Sequence, residues 1–420
     1  MKKKQLKSVL IIPIVFYHSF TGVPAETLNT IVDAYNNTHS GFSVELKEIN
    51  PNLYQAAALE ALSKEPSERP QLVLAPEYMT GTMNKALKEG IVISVKDLLS
   101  KERKEDIAEI VRKTFGEDCL PFNPACGILY INTKMLVDAG YDASWKPSTF
   151  EELIEASQKI HSVTGKKGFT CAWPEAYLLE APLAQTNKSL FDEEGNYNLH
   201  QFKDHLILLN KLVREGVFLP PNTGNYNHTK DFFIDGDVAM YMQGSGNFTL
   251  ICKDAKNIKM SLNFAPLPTL TLNQKVKYAF PLGGGAIWAL NTKDKSKEDL
   301  HEYMVENVRC FLNYLASQAV QRHWHVSTGY VPVSNSVKLS CAEISKENPI
   351  IQAVLSQTLD ADLCENSYGI KKENYAKVRQ EIYPLIRALI TLEGSEDEVG
   401  KIIGERLKEF DEMHKTLISP

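Results

Sequence analysis

The sequence lacks the short motifs that mark most large catalytic families. It contains no G-x-S-x-G, no Walker A sequence, no H-E-x-x-H and no G-x-G-x-x-G after a predicted strand. Gly244-Ser245-Gly246 is too short to count as a phosphate-binding glycine loop. Carboxylate pairs leave no linear trace, so an α/β enzyme acting on a phosphorylated or glycosidic substrate stays open as an alternative. No catalytic residue is assigned.

Long apolar runs and metal-binding spacings are also missing. No segment approaches the roughly 20 apolar residues that a helix needs to cross a bilayer. None of the seven cysteines forms a C-x-x-C, and the ten histidines are scattered. We therefore expect no metal site and no cofactor. Seven cysteines cannot all pair, which fits poorly with a strongly oxidising compartment.

The charge balance gives no reason to expect a nucleic-acid partner. The net charge is -6, the pI is near 6.0, and no basic helix or RNP-like segment is present. Hydrophobic residues make up 43% of the chain and charged residues 23%, which is typical of globular proteins. A chain of 420 residues fits two domains or one bilobal unit.

The N-terminus allows two interpretations. Three lysines at positions 2–4 precede an apolar stretch at 9–20, as in an export signal, but residues 23–25 make a poor cleavage site. The stretch also contains Pro13, Tyr17 and His18 and leads into a turn at Gly22. This favours a first buried strand over residues 9–16.

Strand and helix signals alternate along the chain. Strands are predicted at 9–16, 42–49, 71–75, 128–131, 238–242, 260–264 and 286–290, and helices at 25–36, 53–62, 133–139 and 203–214. A capping box at 148–151 predicts the start of another helix, and apolar spacing predicts one amphipathic helix over 300–322. This rhythm is typical of an α/β fold with a mainly parallel sheet.

Three residues near predicted element ends are candidates for holding a small polar ligand. Glu77 follows the strand at 71–75, at the carboxyl edge where parallel sheets bind ligands. Trp173 follows a short strand signal, where an indole can stack on a ligand. Arg379, in a helical stretch at 375–392, offers a fork for a phosphate or carboxylate. The ordinary alternatives are a solvated carboxylate, a core tryptophan and a surface arginine.

Two glycine-containing turns are further candidates. Gly329 after the predicted helix supplies a left-handed cap, and Pro332 stops the helix from resuming, so that Tyr330 is held at a fixed place. The run Gly283-Gly284-Gly285 allows close approach of a backbone and offers N–H groups to an anion. A tight bend in a sheet explains the same run equally well.

In this order the segments resemble the periplasmic solute-binding proteins of ABC importers (family 1 extracellular solute-binding proteins). The resemblance covers nearly the whole chain, through Phe16-Tyr17-His18-Ser19, Pro121-Phe122-Asn123, Leu129-Tyr130-Ile131-Asn132, Gly236-Asp237-Val238-Ala239-Met240, Gly284 and Trp324-His325-x-x-Thr328-Gly329-Tyr330-x-Pro332. It implies a bilobal α/β fold of the type II, Venus flytrap kind, with two mixed sheets flanked by helices. The implied lobes are 8–121 with 266–318, and 122–265 with 319–420.

The resemblance also implies a ligand site held between two lobes. Five of its positions match Glu77, Trp173, Gly284, Tyr330 and Arg379, and Tyr54, Gly244 and Ser245 are added as candidates at or beside positions that depart from the family. The family's early tyrosine falls at Leu53, beside Tyr54, and two of its serines fall at Ala125 and Gly244, the latter beside Ser245. Each lost buried hydroxyl costs about 1–3 kcal/mol of ligand binding.

The implied function is capture of sn-glycerol-3-phosphate or a related glycerophosphodiester, without catalysis. The implied partners are this small phosphorylated polyol and an inner-membrane ABC permease with its ATPase, and the chain is expected to be a monomer. A sugar or oligosaccharide ligand and a repurposed sensor or interaction protein are the alternatives. The expected location is the periplasm, with the cytoplasm left open by the cysteines and the unclear export signal.

Overall fold

The structure is a computed structural model that describes residues 11–221, 226–273, 278–293, 298–341, 349–359 and 362–415. Its strands are β1 Ile14–His18, β2 Val44–Glu48, β3 Leu72–Pro76, β4 Val92–Ile93, β5 Leu120–Pro121, β6 Gly127–Asn132, β7 Lys167–Cys171, β8 Val238–Gly244, β9 Leu262–Pro266 and β10 Gly285–Leu290. Its helices begin with α1 Gly22–Thr38, α2 Tyr54–Ser63, α3 Thr80–Lys88, α4 Lys101–Asp106, α5 Glu109–Phe115, α6 Thr133–Asp138, α7 Phe150–Thr164, α8 Ala181–Thr186 and α9 Lys203–Arg214. They continue with α10 Tyr226–Ile234, α11 Phe248–Asn257, α12 Glu298–Leu315, α13 Gln318–Thr328, α14 Asn335–Cys341, α15 Pro349–Leu359, α16 Tyr375–Ile390 and α17 Glu396–Lys415.

The chain forms two compact units, each with its own sheet. The first comprises the described residues of Met1–Pro124, Gly284–Thr328 and Pro332–Lys338. Its strand order is β2-β1-β3-β10-β4, with β5 also paired to β10. Strand β1 runs parallel to β2 and β3, whereas β10 runs antiparallel to β3, β4 and β5. This sheet is therefore mixed, because β10 enters it from a distant part of the chain.

The core of the first unit lies on β3, all five residues of which are buried. Aromatic side chains from the helices cover the sheet: Phe311 of α12 meets Phe16 edge-on, with ring centroids 6.4 Å apart. Trp324 of α13 lies with its ring centroid 5.1 Å from that of Phe20 and 4.6 Å from that of Phe122. Trp324, the first residue of the sequence motif at 324–332, is thus a core residue.

The second unit comprises the described residues of Ala125–Gly283, Gly329–Val331 and Leu339–Pro420. Its strand order is β7-β8-β6-β9, with β7 parallel to β8 and β6 antiparallel to both β8 and β9. Helix α7 packs closely on β7, where Gly168 lies against Ser157. Helix α9 packs against α16 and α17. The predicted α/β class with two mixed sheets is confirmed, and the mainly parallel sheet expected from alternation alone is wrong.

Two local predictions need correction. The helix predicted over 300–322 is two helices, α12 and α13. At the break, the Ser317 N–H donates to Tyr314 O, three residues back. The next helix begins where Ser317 O accepts from the Gln321 N–H. The apolar spacing continues across this break and so hides it. The capping box begins one residue later than predicted, at Thr149, since that residue has the extended backbone of an N-cap and its hydroxyl accepts from Glu152 N–H.

The expected cap at Gly329 is confirmed. Helix α13 ends at Thr328, and Gly329 follows with a φ of 80°, a conformation that glycine adopts without strain. The predicted helix at 203–214 coincides with α9. Residues 9 and 10 of the predicted first strand, and the lysines before them, lie outside the described residues.

His18 at the end of β1 makes the stability of the protein pH-dependent. The side chain is buried, its Nδ1 accepts from Phe20 N–H, and burial lowers its pKa to about 4. The unfolded chain takes up this proton near pH 6.5, so stability falls as the pH drops below that value. In urea unfolding, the loss of stability between pH 7 and pH 5 is expected to be about 2 kcal/mol smaller in His18→Gln than in the wild type. Equal losses would contradict a buried neutral His18.

Candidate functional site

In the first unit, the pairing of β3 with β10 places Glu77 next to Gly284. Glu77 directly follows β3, and its N–H donates to Gly284 O at 3.0 Å. Gly284 has a φ of 98°, which side-chain-bearing residues rarely adopt. The two predicted site residues are therefore neighbours at the carboxyl end of a parallel strand.

The glycine run at 283–285 is used mainly as a bend. Gly283 belongs to the second unit, where it exchanges two backbone hydrogen bonds with Ala125, each 2.9 Å long. Gly285 opens β10 and pairs with Pro76 of β3. The run thus serves two sheets, and the Gly283 N–H is already bonded to Ala125 O. The interpretation of Gly284 as a backbone donor to an anion stays a prediction.

Tyr54, and not Leu53, presents its side chain inward. Leu53 is 54% exposed, whereas the Tyr54 hydroxyl oxygen is buried beside Gly285. A Cβ at position 285 would lie 2.9 Å from Ala75 O and 3.1 Å from Asn123 Oδ1, and closer still to the Tyr54 hydroxyl. Asn123 is buried, and its Oδ1 accepts no hydrogen bond within the described part of the chain. Gly285 is therefore needed at this position, because the Tyr54 hydroxyl, Ala75 O and Asn123 Oδ1 already occupy the place that a side chain would take.

In the second unit, Trp173 is fixed by a buried glutamine. Its indole Nε1 donates to Gln243 Oε1 at 3.1 Å, and the same oxygen accepts from Gly244 N–H at 2.7 Å. The Gln243 amide in turn donates to the Tyr241 hydroxyl at 3.0 Å. These bonds set the direction of the indole plane, as a stacking platform requires.

Tyr330 lies against the turn that follows β8. A Cβ at Gly246 would be 2.7 Å from Cζ of the Tyr330 ring, and one at Gly329 would be 2.8 Å from Ser245 O. Ser245 is buried, its N–H donates to Cys126 O at 2.8 Å, and burial raises the pKa of the Cys126 thiol to about 12. The two glycines allow the backbone and the tyrosine to meet, while the Ser245 side chain faces the interior.

The two positions at which the resemblance implies serines face each other. A Cβ at Gly244 would lie 3.8 Å from Cβ of Ala125, an ordinary contact. Both implied hydroxyls are thus missing from one place in the second unit.

Arg379 is engaged by two acidic side chains of its own unit. Its NH1 donates to Glu175 Oε1 at 2.9 Å and its Nε to Glu180 Oε1 at 2.8 Å, and all three side chains are largely buried. The Tyr375 hydroxyl also bonds to Glu180. Burial raises the pKa of the Glu175 carboxyl, which the charge of Arg379 opposes. With both carboxylates ionised, the trio carries one net negative charge.

The local backbone explains why both carboxylates reach Arg379. A π-helical turn, Ala176–Glu180, follows Trp173 and Pro174, and Ala181 N–H donates to Ala176 O. Such a turn closes over five residues instead of four. Residues five apart therefore lie on nearly the same side, which brings Glu175 and Glu180 to one guanidinium.

Sequence reasoning missed Asn123, Gln243, Glu175 and Glu180 as site residues. One signal was available, because Glu175 and Glu180 are the charged residues of the otherwise uncharged segment 170–185. A charge in such a segment needs a buried partner. The partner itself, some 200 residues away in sequence, leaves no local sign.

Neither a metal centre nor a membrane span emerges where the structure describes the chain. Within those residues, no three or more His, Cys, Asp or Glu side chains are grouped to hold a metal ion. No helix in the same residues is long and apolar enough to cross a membrane.

The fold defines a class of protein. The GacH receptor of Streptomyces glaucescens is similar with a TM-score of 0.74, over 96% of this chain and 99% of that one, at 16% identity. UgpB from Mycobacterium tuberculosis, solved in complex with glycerophosphocholine, is similar with a TM-score of 0.71, over 96% and 98%, also at 16% identity. At such identities the likeness establishes the fold, which is that of periplasmic binding proteins.

The sequence establishes the family. The profile of bacterial extracellular solute-binding proteins matches residues 30–353, and the chain belongs to that family. The sn-glycerol-3-phosphate-binding periplasmic protein of Agrobacterium fabrum is 25% identical over 87% of this chain and 84% of its own. The protein of the same name from Yersinia pestis is 22% identical over 95% of this chain and 93% of its own. The predicted family is confirmed.

Proposed function

We propose that this chain is the substrate-binding component of an ABC importer for a small polyol. It binds the solute in the periplasm as a monomer and delivers it to an inner-membrane permease with its ATPase. The first ligand candidate is sn-glycerol-3-phosphate or a related glycerophosphodiester, because relatives that match most of the chain carry that name.

The observation that carries the proposal is the group of polar atoms beside Gly285. The Tyr54 hydroxyl and the unsatisfied Asn123 Oδ1 belong to this group, and Glu77 directly follows Pro76, the residue of β3 that pairs with Gly285. A hydroxyl, an amide oxygen and a carboxylate are the partners that polyol hydroxyls require. In the second unit, Trp173 and Tyr330 supply the apolar surfaces against which a carbon skeleton packs.

A sugar is the second candidate, and a specific observation favours it. Arg379, the residue expected to grip a phosphate, already bonds to Glu175 and Glu180. Ala125 and Gly244 provide no hydroxyl donors for phosphate oxygens. Neutral hydroxyl groups need neither a free cation nor those donors.

Calorimetric titration of the ligand-stripped protein with sn-glycerol-3-phosphate, glycerophosphocholine and maltose tests the proposal. We expect one-to-one binding of at least one of them. Glu77→Gln should weaken this binding tenfold or more, about 1.4 kcal/mol, because it removes an acceptor of ligand hydroxyls.

The matched control is Glu89→Gln, a change at an exposed carboxylate of the same unit, which should leave binding unaltered. A folded protein that gives no heat with any of the three ligands would contradict the proposal. It would favour a repurposed sensor or interaction protein.

A further inference from the structure

We infer that Glu175 and Glu180 are specificity-determining residues that make the second unit accept ligands of no net charge and reject phosphomonoesters. The inference rests on the proposed function, since it concerns the charge of the solute that this site binds. Among the ligands proposed above, it excludes sn-glycerol-3-phosphate and keeps the glycerophosphodiester and the sugar. It starts from an ion-paired trio in which each member is largely buried.

The first step concerns the hydrogen-bond donors of Arg379. An arginine grips a phosphate by presenting two N–H groups side by side. Here NH1 is bonded to Glu175 at 2.9 Å and Nε to Glu180 at 2.8 Å. A phosphate whose grip used either of these two donors, out of the five N–H groups of the guanidinium, would have to displace a carboxylate.

The second step concerns what displacement would leave behind. Glu175 is 3% exposed, and its Oε2 has no hydrogen-bond partner within the described residues. Without Arg379 its other oxygen would also lose its bond. A buried carboxylate without a partner is strongly unfavourable, so the trio resists opening.

The third step is the charge count. Among the charged groups near Glu175, Arg379 lowers the pKa of its carboxyl and Glu180 raises it. Two carboxylates and one guanidinium leave one negative charge when all are ionised, and no net charge when burial keeps Glu175 protonated. In neither state does the trio offer a net positive charge to a phosphomonoester, which carries about −1.5 to −2 at pH 7, and in the first state the trio repels it. A neutral sugar is not repelled, and neither is a zwitterionic phosphodiester whose cationic group balances its phosphate.

The unsatisfied Glu175 Oε2 adds a positive preference. As a buried acceptor it favours a ligand that brings a hydroxyl donor or a cationic group. Maltose supplies hydroxyl donors, and glycerophosphocholine supplies both hydroxyl donors and a cationic group. sn-Glycerol-3-phosphate also supplies hydroxyl donors, so its exclusion rests on its phosphate, whose oxygens are acceptors. The shared property of the accepted ligands is zero net charge.

The test compares the wild type with Glu175→Gln/Glu180→Gln, which keeps side-chain size and an oxygen for Arg379 but removes both charges. The probes are inorganic phosphate and sn-glycerol-3-phosphate, titrated by calorimetry. We expect no phosphate binding by the wild type and at least a tenfold gain in affinity for both probes in the double variant. Adding Arg379→Gln should abolish the gain.

Glu180→Gln alone keeps the Glu175 and Arg379 pair and should give a smaller gain, which provides a readout if the double variant does not fold. Tight wild-type binding of either probe would overturn the inference, as would the absence of any gain in a folded variant. Failure of the proposed function looks different. The wild type would then bind neither maltose nor glycerophosphocholine. The gain in phosphate affinity in the double variant would persist and would still support the inference that Glu175 and Glu180 exclude phosphate.

Discussion

Replacing Arg379 by alanine is expected to lower the free energy of unfolding by about 3–5 kcal/mol. The reason is that Glu175, which is 3% exposed, would be left as a buried charge without its partner. Urea unfolding followed by tryptophan fluorescence measures the effect. Because Arg379 holds its own unit together, loss of ligand binding in this variant would not identify Arg379 as a ligand contact.

The matched control is Arg406→Ala on α17. Arg406 pairs with Glu409 at 3.1 Å, and both side chains are more than 60% exposed. Exposed ion pairs contribute about 0–1 kcal/mol to stability, so this change should leave the free energy of unfolding almost unaltered. Combining Arg379→Ala with Glu175→Gln should recover part of the lost stability. If Arg379→Ala lowers the free energy of unfolding no more than Arg406→Ala does, the buried trio does not stabilise the fold.

Replacing Gly246 by alanine is expected to displace Tyr330. The added Cβ would lie 2.7 Å from Cζ and 2.9 Å from Cδ1 of the tyrosine ring, distances that force the ring to move. Overpacking of this kind costs about 1–3 kcal/mol of stability. Ligand affinity should fall at least tenfold, because Tyr330 would no longer occupy its place in the site. Calorimetry with whichever ligand binds the wild type measures the loss.

The control lies two residues earlier in the same segment. A Cβ at Gly244 would meet Ala125 at 3.8 Å, and the backbone at Gly244 has a φ of −65°, so Gly244→Ala should be tolerated. Adding Tyr330→Ala to Gly246→Ala should restore stability but not ligand affinity. Equal effects of Gly244→Ala and Gly246→Ala would show that the Tyr330 contact does not matter.

Much of the fold could be predicted because each strand and helix carries its own local pattern. Helix α9 and strands such as β3 and β6 lie within a residue of their predicted bounds, since apolar period and end signals are both clear there. The antiparallel insertion of β10 beside β3 could not be predicted. Strand pairing depends on segments more than 200 residues apart, which no local pattern encodes.

The candidate site shows the same division. Glu77 and Trp173 could be selected because they follow strands, and Tyr330 because Gly329 and Pro332 constrain its backbone. The choice between Leu53 and Tyr54 required the packing around Gly285. The two acidic partners of Arg379 could not be predicted. A helical pattern places the arginine on a helix, but it does not tell which carboxylates lie beside it in the folded chain.

The most direct test of the proposed polyol-binding function is a competition read by native mass spectrometry. The ligand-stripped protein is mixed with equal concentrations of maltose, glycerophosphocholine and sn-glycerol-3-phosphate, whose masses identify whatever binds. We expect one molecule of maltose or glycerophosphocholine per chain and little sn-glycerol-3-phosphate. A folded protein with no adduct would contradict the proposed function. A protein occupied by sn-glycerol-3-phosphate alone would agree with the proposed function but contradict the inference that Glu175 and Glu180 exclude phosphomonoesters.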